Sequence, residues 1–512
     1  MRRLLFSLAA FAALATPAFA QIVTVALNQE IRSSNPGVDR DGNTDTLILH
    51  VVEGLVGYNA GGQPGPLLAE QVDISPDGKT YTFTLRKGVK FHNGDVMTSA
   101  DVLWSWNRYV DPGTGWRCLP DFDGRNGTKV VSATAPDPYT FVMVLDRSDA
   151  MLLDSLSRPD CGGTAVLNKA SVKPDGSWDK PIGTGPFKFG EWKRGQYVQL
   201  LAFHDYISPK GEKRDGFLGK KDALVDEVKF LAVPDGATVK AGLQSGAIDV
   251  APIPVGEVQE IRDYPNLAVT TSANPVRHGF ILQTRDPRLK DVRIRRALAL
   301  SLNYEELVGS ITNGLGKVNN SPIYDTSPYF GPEERKGFDY DPQAAKELLE
   351  EAGYDGQQIS IIANKRSTVP SFPAAVIAQQ MWQTVGLNVH IEVLDWPTQL
   401  DKYQTGAYQM ESMSYSARFD PALSFEQISG PKDKEPRKVW ENPEALTLVK
   451  ELRLTTDQTS RQPVVDKLHR MILDDVPLIL LYNDIDCIAH NKGVHGVEAW
   501  ASNLILWGVS KD

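Results

Sequence analysis

The stretch Ser416 to Pro421, SARFDP, sets Arg418 close to Asp420 among small and apolar neighbours. Such a pair either faces water, where it is worth at most about 1 kcal/mol, or holds a ligand, and the local sequence leaves both readings open. Catalytic constellations are not visible elsewhere: there is no G-x-S-x-G elbow, P-loop, H-E-x-x-H or dinucleotide fingerprint. The 8 histidines are scattered, and only His490 and His495 lie close, at a spacing unlike that of helical metal-ligand pairs. Of the 3 cysteines, Cys118 in GWRCLPDFDG and Cys161 in SRPDCGG both sit in loop-like sequence. They form either a bridge worth about 4 kcal/mol or two reduced thiols. Cys487, inside LILLYNDIDCIAH, reads as a small buried hydrophobe. Among the tryptophans, Trp106 and Trp382 fall on apolar helix faces, whereas Trp396 in VLDWPTQL follows a strand end, where α/β proteins place ligand contacts.

These residues have to be positioned by alternating strands and capped helices. In DGKTYTFTLRKGVKFHNGD, Tyr81, Phe83 and Leu85 alternate with threonines as a half-buried strand does, and Lys87-Gly88 and Asn93-Gly94 supply turns. Thr98 with Asp101 predicts a capped helix whose apolar face carries Val102, Leu103, Trp106 and Tyr109. Asp291 caps VRIRRALALS, and Asn303 with Glu306 opens a helix stopped by Gly314. Asp341-Pro342 opens PQAAKELLEEAGY, and AAVIAQQMWQTVG ends at Gly386 and feeds the alternating strand LNVHIEVL. A helix followed at once by a strand implies α/β layers.

Residues 1–20 read as an export signal: Arg2 and Arg3, an apolar run from Leu4 to Thr16, and Ala18-Phe19-Ala20 as a cleavage site after Ala20. The run is shorter than the roughly 20 residues a membrane span needs, and no cysteine near the cleavage point offers a lipid anchor, so a free periplasmic protein is expected. A net charge of −10 argues against nucleic-acid binding. With 41% hydrophobic and 23% charged residues the chain is an ordinary globular protein, and its 512 residues exceed a single core.

From Leu67 to Tyr109, LLAEQVDISPDGKTYTFTLRKGVKFHNGDVMTSADVLWSWNRY, the sequence resembles the family-5 extracellular solute-binding proteins, which serve ABC importers of dipeptides, oligopeptides, nickel and related solutes. The resemblance continues through PIGTGPFKFGEW, RLKDVRIRRALALSLNYEELV, YDPQAAKELLEEAGY and AAVIAQQMWQTVGLNVHIEVLDW, and so covers nearly the whole chain after residue 20. It implies an α/β periplasmic binding protein fold of type II, cluster C-like. Lobe I would comprise residues 21–275, with a subdomain at about 60–180 holding Cys118 and Cys161, and lobe II residues 276–480. Residues 481–512 would return to lobe I. The crossings near Ala273-Asn274-Pro275 and Leu481-Tyr482-Asn483 would be hinges. A solute bound between the lobes would favour the closed form, which docks on an inner-membrane permease. No cofactor, no catalysis and a monomeric protein are expected.

Peptide-binding members similar to this chain carry an aspartate four residues before the proline of SARFDP, paired with the peptide ammonium; here that position is Ala417. An arginine that holds the ligand carboxylate in similar dipeptide binders falls on Lys365 or Arg366 in the basic loop ANKRSTVPSF. With Arg418 these cations imply a cleft suited to an anionic or zwitterionic solute, opine-like or sugar-conjugated, rather than to peptides in general. The position of the family's cleft adds Glu30 and Arg32 in NQEIRSSNP, Arg277 and His278 in RHGF, Asp420 and Trp396 as candidate contacts. A nickel or metal-chelate binder is the alternative within the class, a secreted hydrolase the alternative outside it, and a chemosensory role alongside transport is compatible with the same fold.

Overall fold

The computed structural model describes residues 21–125, 127–366, 369–455 and 457–512. The expected export segment and Ser367-Thr368 of the basic loop lie outside them. A ten-stranded mixed sheet runs through the molecule. Its strands, in spatial order, are Val389–Val393, Ile359–Ala363, Met410–Tyr415, Leu267–Leu282, Leu478–Asn491, Val250–Pro252, Ile22–Leu27, Glu227–Ala232, Tyr197–Ala202 and Phe187–Lys193. The two central strands are much longer than the usual 5–6 residues and pair antiparallel from Leu267↔Asn491 to Ile281↔Leu478. One end of this ribbon pairs Arg277–Leu282 with Met410–Tyr415, and the other pairs Ile488–His490 with Val250–Pro252. Each end therefore carries its own core.

Val23, Val25, Phe187, Leu200, Val228 and Phe230 pack with Trp500, Leu506 and Trp507 at the first end. Phe280, Leu298, Trp382 and Ile361 pack at the second, with a neighbouring cluster around Phe425, Trp440 and Leu468. Trp382 is fully buried and its indole N–H donates to the Leu298 carbonyl at 2.8 Å, which satisfies the polar tip inside the core. Between the ends the ladder slips: Ala273 faces Ile485 and Arg277 faces Asn483, so Asn274, Pro275 and Val276 stand opposite Asp484 alone. A bulge of this kind bends and twists a ribbon.

Residues 69–145 add a four-stranded sheet. Tyr81, Phe83 and Leu85 point into its core while Thr80, Thr82 and Thr84 do not, the period-2 pattern of one covered face. The helix Ser99–Val110 covers that face with Val102, Trp106 and Tyr109, and the Thr98 N–H donates to Asp101 Oδ2 at 2.8 Å to start it. Cys118 and Cys161 are joined in a disulfide with a sequence separation of 43 and a Cα–Cα distance of 5.6 Å. Closing a loop of that length stabilises by about 4 kcal/mol in the chain-entropy picture. Gly37 packs on this bridge with φ +69, and a Cβ there would lie 2.7 Å from the Cys161 carbonyl oxygen.

The capping residues Asp291, Asn303 and Asp341 accept from Arg293, Glu306 and Ala344 N–H groups respectively. The helix after Asn303 ends one residue earlier than expected. Asn313 takes the left-handed conformation (φ 50) at its C-terminus, a role its short amide tolerates, and Gly314 follows outside. Cys487 is buried, and burial pushes its thiol up to about 12, so it packs as a hydrophobe.

Candidate functional site

Two chambers lie where the two ends of the ribbon face each other. The first encloses about 210 Å³ and takes Arg40, Asp45, Tyr58, Arg117, Arg158 and Asp160 from one side and Ser416 to Phe419 from the other. The hairpin turn Ala501-Ser502, between strands Glu498–Trp500 and Asn503–Ile505, closes one wall. Both turn residues have positive φ, 50 and 67, although neither is glycine. That is the type I′ geometry of a two-residue hairpin. Ser502 is tied to the bulge: its N–H donates to Asp486 Oδ2 at 3.1 Å, and Asn274 Nδ2 donates both to Asp486 Oδ1 at 2.8 Å and to Ser502 Oγ at 2.7 Å.

The wall that carries Arg40, Arg117 and Arg158 holds its charges in pairs. Arg158 forks onto Asp160 at 3.0 and 2.8 Å and reaches Asp121 at 2.6 Å, and Arg117 lies 3.3 Å from Asp160. The disulfide creates this arrangement, because Arg117 precedes Cys118 and Asp160 precedes Cys161. Arg40 pairs with Asp45; burial pushes that carboxyl up to about 7, with Arg40 opposing the shift. Arg418, on the facing wall, is different. Its Nη1 donates to the Ala417 carbonyl at 2.7 Å, and no carboxylate pairs with it among the described residues. Burial, followed by the charge of Arg158, pushes the guanidinium down to about 10.

Asp420 does not pair with Arg418. It caps the helix Pro421–Ile428 by accepting from Ala422 N–H at 2.7 Å, and it receives a two-pronged bond from Arg461 at 2.7 and 2.6 Å. The two members of SARFDP thus part company across Phe419. This ring stacks on Trp500 with centroids 4.5 Å apart and packs on Tyr58 at 4.7 Å. Gly62 leaves room for it, since a Cβ there would sit 2.3 Å from Phe419 Cδ1. Beyond this partition lies the second chamber, about 260 Å³, lined by Asp154, Asp420, Arg461, Tyr324, Tyr329 and Gln63 among others.

Arg418 lines the first chamber and Asp420 the second; the other expected contacts line neither. Lys365 lies over the Phe372 ring at 4.6 Å, and Arg366 over Trp396 at 3.8 Å while donating to Asn364 Oδ1 at 3.0 Å. Trp396 is the first residue of the helix Trp396–Thr405. Arg277 is buried and donates to the Pro322 carbonyl and to Gln427. His278 meets Ser414 Oγ at 2.7 Å and Asp484 at 3.3 Å. Glu30 accepts from Trp192 Nε1 at 2.8 Å, and Arg32 donates to Asp39 at 3.0 Å on the surface. Arg40, Asp45, Tyr58, Arg117, Arg158 and Asp160 were not singled out from the sequence. The charged neighbours of the two cysteines were the available signal, and only the bridge brings them to one wall.

Residues 63–435 match the bacterial extracellular solute-binding proteins, family 5 (middle region). The chain belongs to this family. Its members bind small peptides or other solutes outside the cytoplasm, work with ABC permeases, and are binding proteins rather than enzymes. This family-5 chain is similar to the oligopeptide-binding protein OppA of Bacillus subtilis, at 25% identity over 504 residues, 93% of this chain and 90% of that protein. It is also similar to the glutathione-binding protein GsiB of Pectobacterium atrosepticum, at 25% identity over 96% of this chain and 95% of that protein. Among solved structures, the periplasmic binding protein DppA of Helicobacter pylori in complex with the peptide STSA aligns with a TM-score of 0.78 at 25% identity, covering 96% of this chain and 98% of that one. The two-lobed type II architecture of the family is the fold described above, and no helix among the described residues is long and apolar enough to cross a membrane.

Proposed function

We propose that this solute-binding protein captures a small solute bearing an anionic group in the first chamber, and that Arg418 is the anchor. The observation that carries the reading is a guanidinium in a chamber between the two ends of the ribbon that forms no ion pair among the described residues. A carboxylate or phosphate satisfies Arg418 through the forked geometry that arginine offers. The chamber's 210 Å³ is smaller than the roughly 300–1,000 Å³ of drug-sized pockets, which favours a compact solute. Ala417 stands where peptide-binding relatives place an aspartate, so a free peptide N-terminus has no partner at that position.

Closure about Asn274–Val276 and Asp484 selects the loaded form, because a solute touching Arg418 and the Arg117–Arg158 wall has contacts on both sides of the bulge. The Ser502–Asn274–Asp486 bonds link the chamber wall to that bulge. The loaded protein then delivers to an ABC permease after export with the signal removed after Ala20. Native mass spectrometry of the purified protein, followed by denaturation and identification of the released molecule, tests the reading. An anionic or zwitterionic solute supports it, and a neutral or purely cationic one overturns it.

A further inference from the structure

The second chamber contains a buried carboxyl group that the reading above leaves unused. Asp154, in the helix Leu152–Ser157, is only 5% exposed and lines this chamber. The Tyr58 hydroxyl beside it donates to the Asp154 main-chain carbonyl at 3.0 Å, and no cation forms a salt bridge with the carboxyl among the described residues. The cations nearby are committed elsewhere. Arg461 forks onto Asp420 and bonds the Tyr329 hydroxyl at 2.8 Å, while Arg453 pairs with Asp149 and Glu426. The Asp420–Arg461 pair is neutral as a unit, so an ionised Asp154 leaves this chamber with one surplus negative charge. In the first chamber the surplus is positive, at Arg418. Tyr58 stands at the junction, with Arg158 and Arg418 acting on its hydroxyl from one side and Asp154 and Asp420 from the other.

A carboxylate buried without a counter-ion is costly, and a proton or a cation relieves it. Burial, reinforced by the negative charge of Asp420, raises Asp154 well above the ordinary carboxylate range, a shift that Arg461 and the Tyr58 hydroxyl oppose and that a cation in the chamber would reverse. We propose that the second chamber is a subsite for a protonated nitrogen of the solute, with the Asp154 carboxylate as its counter-ion. A solute that reaches this chamber then places its cationic nitrogen on the Asp154 side of the Tyr58–Phe419 pair. This assignment rests on the reading of the cleft as the solute site and adds the second pole of the ligand. It also gives the chain an ammonium partner that Ala417 cannot supply and that Asp420, already bonded to Arg461, does not.

The test uses a pool of dipeptides built from alanine, lysine and arginine, each as the free amine and as its N-acetyl form, incubated with the ligand-stripped full chain. Bound members are read by native mass spectrometry for wild type and for Asp154→Asn, a near-isosteric change whose folding is checked by thermal melting. Wild type is expected to retain members with a cationic nitrogen at least ten-fold over N-acetylalanylalanine, and Asp154→Asn to lose that preference. Equal retention of N-acetylalanylalanine by wild type, or an unchanged preference in Asp154→Asn, overturns the subsite while leaving the solute-binding reading intact. Retention of no member also overturns it, and the reading of the first chamber is then judged separately on the molecule released from the protein as purified, which involves no chosen probe. If Asp154→Asn fails to melt cooperatively, Asp154→Glu replaces it. Moving the carboxylate by one methylene is expected to change which cationic members are preferred, and an unaltered ranking overturns the proposal.

Discussion

Replacing Arg418 with methionine separates a binding role from a structural one, because the two effects have opposite signs. The guanidinium is partly buried and bonded only to a neighbouring carbonyl at 2.7 Å, and its surroundings hold it down from 12.5 to about 10. At 1.36 kcal/mol per pH unit this is about 3 kcal/mol against the charged form, and solvent screening of its exposed part reduces the figure to about 1–2 kcal/mol. Arg418→Met keeps the length and removes the charge, so the ligand-stripped protein should become more stable by about 1–2 kcal/mol in urea unfolding. With solute present the variant loses a charge-assisted hydrogen bond worth about 1.5–3 kcal/mol, or about 10–150-fold in Kd, measured by titration calorimetry with the molecule released from wild type. A variant that is less stable when empty and binds that molecule with unchanged affinity would refute the assignment and make Arg418 a packing residue.

Two further outcomes follow from buried carboxyl groups. Asp420→Ala leaves the buried Arg461 guanidinium unpaired and strips the cap from Pro421–Ile428, which should cost about 3–5 kcal/mol for the pair and about 1 kcal/mol for the cap; a urea midpoint close to wild type would show that solvent reaches this pair freely. Glu411 is buried, and burial raises its carboxyl from 4.5 to about 8 against the bond from Gln399. The folded state therefore holds a proton that the unfolded state releases, so this contribution is full below about pH 4.5 and is lost as pH rises through about 8. Glu411→Gln should flatten that decline in melting temperature, and parallel wild-type and variant profiles would exclude Glu411 as its source.

Local chemistry was readable wherever a residue acts on its own neighbours. Thr98 with Asp101, Asp291, Asn303 and Asp341 declare helix starts because a cap bonds N–H groups two or three residues away, and the alternation at Tyr81–Leu85 declares a covered strand face. Asp420-Pro421 carries the same start signal as Asp341-Pro342, but placing Asp420 among the ligand contacts passed over its role as a cap. Its partner Arg461 was not legible, since 41 positions separate them and only folding brings the helix Gln458–Asp475 alongside. The cleft follows the same division. Arg418 is marked by its place in a family motif, but Asp45 and Asp160 reach the first chamber and Asp154 the second only through the sheet, the disulfide and the packing of a short helix. Lys365 and Arg366 are basic in sequence, yet Phe372 and Trp396 offer ring faces nearby, and the cations settle on these.

The segment 478–507 decides when the molecule can become itself. Ile488, Trp500, Leu504, Leu506 and Trp507 belong to the same core as Val23, Val25 and Phe230, and Leu478–Asn491 is the partner of Leu267–Leu282. An emerging polypeptide therefore cannot complete its first hydrophobic centre until residues 478–507 have been made, however early that centre's opening strand appears. Contacts of such long sequence separation form slowly. For a protein destined for the far side of a membrane this delay is useful, because a chain that is late to compact is still a thread when it reaches the export channel.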